Sequence, residues 1–564
     1  MTSLFPTDRA GERQRRLTHR AVPIAGVAAV ALLIGVIVGA SAASSVERIG
    51  GDYAEAWQRG DVKAMRALFT PQARRRYSEA EVRQALAQAA DTATATSFAT
   101  GKPESERDGA ALVPVRVRTR SFGVIRGDVA VPVNDDLVEW SPALAFPGLR
   151  GGERLERRTR LPRRATILSR DGKVLARGPA GARSSPDGAG GSIAGTLGRP
   201  DTPQGRRLAR ERGLPPRAVV GTTGLERAFE RELAGTPGGE LLAGRRVLAR
   251  SEPKPGETVR STIDSRLQLA AVAALGSRFG GVAALDARNG EVRALAGVAF
   301  SAPQPPGSTF KIITTTAALE AKLTRTRKRY PVETAATIDG TRLENANGES
   351  CGGTFRESFA HSCNSVFAPL GVRVGAKRLV ATAERYGWNA KPSVDGELPS
   401  TIPPAREIKT PIELGSSAIG QGKVLATPFR MASVAQAIAT GGVMAEPSLK
   451  AGAASPRRRV TSGKVARLIR TYMLDVVRYG TGTAAAIPEA QVAGKTGTAE
   501  LGDTRGPGAQ GSDASNTDAW FTAFAPASRP RLAVGVLLVK AGAGGQSAAP
   551  VAKEVLQAGL KRGG

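Results

Sequence analysis

Residues 303–313 read Pro-Gln-Pro-Pro-Gly-Ser-Thr-Phe-Lys-Ile-Ile, where a Pro-rich loop gives way to a helical pattern. Pro306 and Gly307 interrupt regular structure, so the pattern predicts a helix that starts near Ser308. Lys311 follows three residues later, and residues three apart on a helix lie on one face. The dipole and free N–H groups of a helix N-terminus favour negative charge developing on the serine oxygen. Taken alone, the tetrapeptide is more typical of an ordinary capped helix than of a catalytic site.

Histidine is scarce, which restricts the base that could activate a serine. The chain has only His19 and His361, and it contains no G-x-S-x-G nucleophile elbow. A Ser-His-Asp hydrolase outside the membrane would have to use His361. His19 precedes the apolar segment over residues 21–43, which is predicted below to be a membrane anchor, and so lies on its cytoplasmic side. Lysine serves as the base when burial or a neighbouring cation lowers its pKa toward neutrality. The sequence therefore favours Lys311 as the base for Ser308.

Two further motifs supply groups that fit the same chemistry. Ser362-Cys363-Asn364 lies in an apolar stretch and offers a hydroxyl and an amide on a predicted loop or helix end. Lys495-Thr496-Gly497-Thr498 lies in a predicted strand. A cation, a hydroxyl and a glycine that permits close backbone approach would line a groove for a carboxylate and a peptide.

Nucleotide-binding interpretations of the glycine-rich segments fail on spacing. Gly494-Lys495-Thr496 is not a P-loop, because the position that needs glycine holds Glu489. Gly480-Thr481-Gly482 is a fragment of a dinucleotide fingerprint, and the pattern predicts a tight turn there.

The segments on either side of these motifs predict one shared antiparallel sheet. A helix is predicted over residues 262–275 with Thr262 as its N-cap. Strands are predicted over 281–286 and 291–298, joined by Asn289-Gly290 in a type I′ turn, which requires positive φ at both residues. Three more strands are predicted over 492–501, 518–525 and 531–539, before a helix over 550–560. Mostly helical sequence separates the two groups of strands.

The chain of 564 residues is long enough for two to four domains, and it is strongly basic, with a formal charge of +30. Hydrophobic residues at 41% and charged residues at 23% indicate an ordinary folded protein. Aromatic residues make up only 4%, which leaves few rings for stacking bases, so nucleic acid is not expected as a partner. The positive charge is also consistent with an anionic envelope of phospholipid headgroups and wall polymers.

The N-terminus predicts a membrane anchor. Five arginines between Arg9 and Arg20 precede an apolar run over residues 21–43, which is long enough for a single helical span of roughly 20 residues. The charge asymmetry predicts a cytoplasmic N-terminus and an extracytoplasmic remainder. A cleaved signal peptide is the alternative, because Ala40-Ser41-Ala42 resembles a cleavage site.

The segment after the anchor predicts a small α+β domain without a catalytic constellation. Residues 46–89 have helical spacing, and strands are predicted over 111–121 and 123–133. Residues 178–213 are rich in Gly, Pro, Ser and Arg, which predicts loops or a linker. The only cysteines, Cys351 and Cys363, fit either a disulfide or two small buried side chains.

S-x-x-K, S-x-N and K-T-G, in this order on helix, loop and strand, resemble the penicillin-binding protein and serine β-lactamase superfamily. Similarity extends from about residue 221 to the C-terminus and includes Gly224-Leu225-Glu226, Thr262-Ile263-Asp264, Gly420-Gln421-Gly422, Ala426-Thr427-Pro428 and Ala519-Trp520-Phe521. The resemblance implies an antiparallel sheet with a helical subdomain.

The resemblance also implies a role for each motif residue. Ser308 would attack the carbonyl between the last two D-alanines of a stem peptide, and Lys311 would take its proton. Ser362 would relay protons to the leaving amine, while Asn364 would orient the substrate and Lys311. No metal or organic cofactor is implied.

The third motif would hold the other end of the substrate. Lys495 and Thr496 would bind the terminal carboxylate, with Gly497 and Thr498 completing that wall. The backbone N–H groups of Ser308 and Thr498 would form the oxyanion hole.

Architecture points to a monofunctional (class B) D,D-transpeptidase, because no polymerase signature is found. Residues 46–133 and 140–176 are similar to the nuclear-transport-factor-like (NTF2-like) domain of methicillin-resistance-type penicillin-binding proteins. The expected chain is multidomain α+β, with a cytoplasmic tail (1–20), transmembrane anchor (21–43), NTF2-like domain (46–150), pedestal or dimerisation-type domain with linker (151–255) and transpeptidase domain (256–564). Expected partners are peptidoglycan stem peptides, β-lactams, the membrane and a separate glycan polymerase.

Three alternatives share the same motifs. A D,D-carboxypeptidase differs only in resolving the acyl-enzyme with water. A β-lactamase needs a carboxylate that activates this water, and Glu397 lies in a comparable stretch without the usual asparagine. A non-enzymatic β-lactam sensor needs a cytoplasmic output domain, for which about twenty residues are too few.

Overall fold

The computed structural model describes residues 44–215, 217–502 and 514–561. The described chain divides into two compact units, residues 44–159 with Gly238–Glu252, and residues 160–237 with 253–561. The predicted cytoplasmic tail and membrane anchor at residues 1–43 lie outside the described residues. Within the described ranges, no helix has the length and apolar character that a membrane span requires.

The first unit packs four helices on an antiparallel sheet. The strands run in the order β1-β3-β4-β5, with β2 paired to β3, and β6, β11 and β12 form a second sheet in the order β12-β11-β6. The elements are α1 (Ser45–Arg59), α2 (Val62–Ala67), α3 (Pro71–Arg76), α4 (Glu79–Thr92), β1 (Ala95–Thr100), β2 (Ser105–Arg107), β3 (Ala110–Thr119), β4 (Val124–Asn134), β5 (Leu137–Val138), β6 (Leu155–Arg160), β11 (Gly238–Ala243) and β12 (Arg246–Ser251).

The predicted strands over 111–121 and 123–133 are confirmed as β3 and β4. The helical pattern over 46–89 is divided into four short helices, because capping residues interrupt it. The side chains of Asp61, Thr70 and Ser78 accept backbone N–H bonds at the starts of α2, α3 and α4.

The second unit begins with short elements around a buried group of ion pairs, in which Arg164 contacts Glu226 and Glu230. They are β7 (Ile167–Leu168), β8 (Val174–Ala176), α5 (Gly188–Ile193), β9 (Leu197–Gly198), α6 (Pro203–Glu211), β10 (Val220–Gly221), α7 (Gly224–Ala228), α8 (Glu230–Leu233) and β13 (Val259–Arg260). The stretch over 178–213, predicted to be loops or a linker, is irregular in part but also contains α5 and α6, whose N-caps are Asp187 and Thr202. Ile193 of α5 is buried in the core.

A five-stranded antiparallel sheet forms the centre of the second unit. Its order is β15-β14-β24-β23-β22, which confirms that strands from both ends of this region share one sheet. The elements are α9 (Ser265–Leu275), β14 (Gly280–Asp286), β15 (Val292–Gly297), β22 (Ala493–Glu500), β23 (Thr517–Ala525), β24 (Leu532–Leu538) and α17 (Gly544–Leu560).

The sheet buries both of its faces. Phe521 and Val534 pack in the same cluster as α9 and α17 on one face. Trp520, Phe524 and Leu537 face the inserted helices on the other. Alternation along β23 and β24 therefore places the inserted helical region against one side of a rigid sheet.

The inserted region is mostly helical, as predicted, with short strand pairs. Its elements are α10 (Lys311–Glu320), β16 (Arg329–Glu333), β17 (Ala335–Ile338), β18 (Thr341–Glu344), β19 (Cys351–Thr354), α11 (Phe355–Ala360), α12 (Asn364–Val374), α13 (Ala376–Arg385), α14 (Pro411–Ala418), α15 (Pro428–Ala439), β20 (Val443–Ala445), β21 (Arg457–Arg459) and α16 (Gly463–Arg478).

Two local predictions need correction. The N-cap of α9 is Asp264, whose side chain accepts a hydrogen bond from Leu267 N. The Thr262 hydroxyl instead lies within hydrogen-bond distance of the carbonyl oxygens of Val292 and Ser448. The β14–β15 connection is not a type I′ turn. Of the two central residues only Gly290 has positive φ, and Asn289 Oδ1 instead accepts from Glu291 N.

Candidate active site

A one-turn 3₁₀ helix, Gly307–Phe310, presents Ser308 directly before α10. The predicted helix start is thus confirmed, with a tighter first turn. Gly307 has φ +51°, and its N–H donates to Gly420 O at 2.9 Å. A Cβ at position 307 would overlap with Thr498 O, so only glycine lets this turn lie against β22.

Lys311 projects from the first turn of α10 into a fully buried position. Its Nζ donates to Ser362 O at 2.7 Å, Ser362 Oγ at 3.2 Å and Asn364 Oδ1 at 2.6 Å. Burial, together with the nearby charge of Lys495, lowers the pKa of Lys311 well below that of a solvated lysine. Lys311 is therefore prepared to act as a base near neutral pH.

Lys495 reaches the same hydroxyl from β22. Its Nζ donates to Ser362 Oγ at 2.8 Å and to Thr496 O at 3.0 Å. Burial lowers the pKa of Lys495 to about 7. Because Ser362 Oγ accepts from both lysines, its own proton remains available to a third group.

Aromatic rings cover both lysines. Lys311 Nζ lies 5.3 Å from the centre of the Phe367 ring, and Lys495 Nζ lies 5.7 Å from that of Phe359. These ring faces exclude water, and their electron-rich surfaces offset part of the cost of burying the two ammonium groups.

Ser362 and Cys363 form the short connection between α11 and α12. Ser362 has φ +60°, a left-handed conformation that non-glycine residues rarely adopt. The next residue, Cys363, forms a disulfide with Cys351 at the start of β19. The sequence alone did not decide whether these cysteines form a disulfide or are two small buried side chains. The bridge fastens the residue between Ser362 and Asn364 to the adjacent strand.

Strand β22 forms the other wall of the site. At Gly497 a Cβ would lie 2.6 Å from Pro306 O and 2.9 Å from Trp520 Cβ, so a larger residue would push the strand away from the Ser308 turn. Thr498 is half-buried, and its hydroxyl accepts from Gly544 N at 3.3 Å.

Thr481 is a site residue that the sequence interpretation missed. Its hydroxyl lies 2.6 Å from that of Thr496, and its N–H donates to Ala360 O at 3.2 Å. The segment over 480–482 does form a turn, as predicted, but this turn lies against the K-T-G motif. Local glycine spacing carries no signal for a contact between residues 15 positions apart.

The structure thus brings together all three motifs. Lys311, Ser362, Asn364 and Lys495 are linked by hydrogen bonds, and Gly307 and Gly497 hold the Ser308 turn against β22. Within the described residues, Lys311 Nζ is hydrogen bonded to Ser362 and Asn364 and not to Ser308. Glu397 is buried elsewhere, where it accepts from Ser393 and from Arg430 Nη2 at 3.2 Å.

Comparison with known proteins identifies relatives of this region. Residues 280–557 match the family model described as penicillin binding protein transpeptidase domain. The chain is 33% identical over 411 residues to the peptidoglycan D,D-transpeptidase PbpA of Mycobacterium tuberculosis, covering 60% of this chain and 80% of the relative. It is 32% identical over 417 residues to PbpA of Mycolicibacterium smegmatis, covering 61% and 80%.

Solved structures agree with the sequence relatives. The crystal structure of PBPA from M. tuberculosis covers 71% of this chain and 100% of its own, with a TM-score of 0.57 and 27% identity. Its penicillin G acyl-enzyme complex gives the same coverage and TM-score with 28% identity.

Burial of the two lysines predicts a stability that rises with pH. Folding lowers the pKa of Lys495 to about 7, so at this residue the unfolded chain binds more protons between about pH 7 and pH 10. The free energy of unfolding should therefore rise in this range, by up to about 1.4 kcal/mol per pH unit from Lys495, and the lowered pKa of Lys311 acts in the same direction. Lys495→Met should raise stability at pH 7 and flatten the rise, as measured by denaturant titration.

Lys409→Met is the matched control, because Lys409 is exposed. It should leave the slope unchanged. A pH-independent stability in the wild type, or equal slopes in wild type and Lys495→Met, would contradict the burial of a titrating ammonium group.

The disulfide predicts a catalytic effect beyond its contribution to stability. Replacing both Cys351 and Cys363 by alanine should lower stability by about 3 kcal/mol, the value for a short closed loop. Freed from the bridge, Ser362 and Asn364 should lose their alignment, and acylation by penicillin G should slow by roughly 10- to 100-fold. Stopped-flow rates at 20 °C on folded protein separate the two effects, and an unchanged rate would show that the bridge is only structural.

Proposed function

The chain belongs to the monofunctional (class B) penicillin-binding proteins. On that premise, we propose that Ser308 is the residue that is acylated by the donor stem peptide. The protein is a serine-type peptidoglycan D,D-transpeptidase. The observation that carries the assignment of residues is the convergence of Lys311 Nζ and Lys495 Nζ on the Ser362 hydroxyl, next to the Ser308 turn.

Acylation begins with proton transfer from Ser308 to Lys311. A neutral lysine keeps two of its N–H donors for Ser362 and Asn364 and offers its lone pair to the Ser308 hydroxyl. Ser308 Oγ then bonds to the carbonyl carbon between the last two D-alanines of the donor. The backbone N–H groups of Ser308 and Thr498 stabilise the oxygen of the tetrahedral intermediate.

Collapse of the intermediate breaks the peptide C–N bond. Ser362 donates its proton to the leaving amine nitrogen and recovers one from Lys311, so D-alanine departs neutral in its amine and the ester remains on Ser308. Both lysines donate to Ser362 Oγ, which leaves the serine proton directed toward the substrate.

The second half-reaction reverses these transfers. The amine of a neighbouring stem peptide attacks the ester carbonyl and passes a proton through Ser362 to Lys311. The new amide forms as the C–O bond to Ser308 breaks, and Ser308 recovers its proton from Lys311. The two peptides are then cross-linked.

Hydrolysis of the acyl-enzyme lacks the support that a β-lactamase provides. Such an enzyme uses a carboxylate to activate the deacylating water, and Glu397 is occupied by Arg430 and Ser393. β-Lactams therefore acylate Ser308 and remain bound.

The terminal carboxylate of the donor binds at Thr496 and Thr498 beside Lys495. Thr496 has one hydroxyl proton, and it can give that proton to the carboxylate only if it accepts a hydrogen bond from Thr481. Thr481 is thus a positioning residue that sets the direction of the Thr496 hydroxyl.

The rest of the chain serves to place this domain. We propose that residues 21–43 anchor the protein in the cell membrane with the catalytic domain outside. Residues 46–150 form an NTF2-like domain, and residues 151–255 form a pedestal. A separate glycan polymerase supplies the strands, because the chain shows no polymerase signature.

Labelling with fluorescent penicillin tests the nucleophile. The purified full-length protein should take up one stable label per chain, and Ser308→Ala should take up none. Ser301→Ala is the matched control, an exposed serine on the same loop, and it should label like the wild type. Label on Ser308→Ala, or loss of label within minutes in the wild type, would contradict a persistent acyl-enzyme at Ser308.

Thr481→Val should lower the acylation efficiency of penicillin G by roughly 10-fold, the cost of a hydrogen bond to a charged group. Thr481→Ser should restore it. Against penicillin G methyl ester, which lacks the carboxylate charge, wild type and Thr481→Val should react at equal rates. A loss that is the same for acid and ester would assign Thr481 a purely structural role.

A further inference from the structure

A cavity with both apolar and charged lining residues lies beside the β20–β21 strand pair, and it shares no residue with the active site. Its volume is about 210 Å³. This is smaller than the ~300–1,000 Å³ of pockets that enclose drug-sized ligands, so it suits a small molecule or a single chemical group. The charged residues that line it are Lys391, Arg430, Glu446, Arg457 and Arg458.

Two of these guanidinium groups converge on the space left by a glycine. Gly387 has φ +96°. A Cβ at this position would lie 3.1 Å from Arg458 Nη2 and would overlap with Arg430 Nη1. Like charges repel, so two guanidinium groups that meet at one point favour the binding of an anion beside them.

The compensation within the chain is incomplete. Arg430 is 5% exposed, and its Nη2 donates to Glu397 at 3.2 Å. Its buried Nε has no hydrogen-bond partner among the described residues. Arg458 Nη2 donates only to a weak acceptor, Met444 Sδ, at 3.6 Å.

The charge around the cavity is therefore positive in excess. Lys391, Arg430, Arg457 and Arg458 contribute four positive charges, against Glu446 on the lining and Glu397 behind Arg430. The count leaves two positive charges in excess, with Arg430 buried and Lys391, Arg457 and Arg458 exposed. Burial is the main cause that lowers the pKa of Arg430, and the charge of Arg458 adds to it, whereas Glu397 and Glu446 oppose it.

We propose that this cavity binds an anion of the phosphate class. Arg430 and Arg458 form hydrogen bonds to the anion, and Lys391 and Arg457 lie at the rim of the cavity. A phosphomonoester carries about 1.5 to 2 negative charges at pH 7 and presents several acceptor oxygens. Its geometry matches the planar donor forks of paired arginines. The source is either free phosphate or the terminal phosphomonoester of a larger molecule.

Arg458 and Arg459 provide a matched pair for the test, since they are adjacent and both exposed on β21. Arg459 Nη1 donates to Gly441 O and Thr461 O, and it does not line the cavity. Inorganic phosphate and glycerol 3-phosphate serve as probes for the two sources. Sodium chloride at equal ionic strength measures unspecific screening.

Isothermal titration of the full-length protein at pH 7.5 should show one saturable phosphate site. Arg458→Gln should weaken it at least tenfold, and Arg459→Gln should leave it within twofold of the wild type. Labelling of Ser308 by fluorescent penicillin confirms that both variants are folded. Tighter binding of glycerol 3-phosphate than of phosphate identifies a phosphomonoester, and the reverse order identifies free phosphate.

Two results would overturn the proposal. One is a heat signal from both probes no larger than that from sodium chloride. The other is equal weakening by Arg458→Gln and Arg459→Gln, which would assign the effect to the general positive charge of the strand.

Discussion

Two buried lysine side chains, both hydrogen bonded to the Ser362 hydroxyl, are the constraint on which the catalytic domain depends. The acceptors around them are hydroxyl, amide and carbonyl oxygens rather than carboxylates. Burying an ammonium group without a counter-charge is unfavourable, so the proton affinity of each lysine falls instead. The same burial that destabilises the fold lowers the pKa of Lys311 and so allows it to act as the base for Ser308.

The surrounding structure holds this arrangement in place. The five-stranded sheet buries both faces and supplies Lys495 from a rigid strand. The disulfide fixes the residue between Ser362 and Asn364, where the backbone is in the left-handed region. Gly307 and Gly497 let the nucleophile turn and β22 approach more closely than any side chain would permit. Each of these features keeps two lysine side chains within reach of one hydroxyl.

Much of this site could be predicted from the sequence because its motifs are local. S-x-x-K and K-T-G depend on helix and strand spacing, which the pattern of apolar residues shows. The antiparallel sheet followed for the same reason. Contacts between distant residues left no such signal. Thr481 lies in a glycine-rich turn that looks ordinary until the structure places it against Thr496, and the spacing of Cys351 and Cys363 did not decide their pairing.

Errors in the local predictions have a common physical origin. Thr262 and Asp264 are both good capping residues two positions apart, and tertiary contacts of the Thr262 hydroxyl decide between them. The Gly- and Arg-rich stretch over 178–213 has the composition of a linker. It folds because a few apolar side chains, such as Ile193, are buried in a core formed by other segments.

The pH dependence of Ser308 acylation tests the central claim most directly. The second-order rate constant for penicillin G should be measured from pH 5 to pH 10 in wild type and in Lys495→Met. The account predicts that the acid limb of the wild-type profile lies well below the pKa of an ordinary lysine, because burial and the charge of Lys495 lower the pKa of Lys311. It also predicts that the acid limb moves to higher pH in the variant, since the repulsive charge of Lys495 is gone. A wild-type rate that rises only above pH 9, as an ordinary lysine loses its proton, would contradict it.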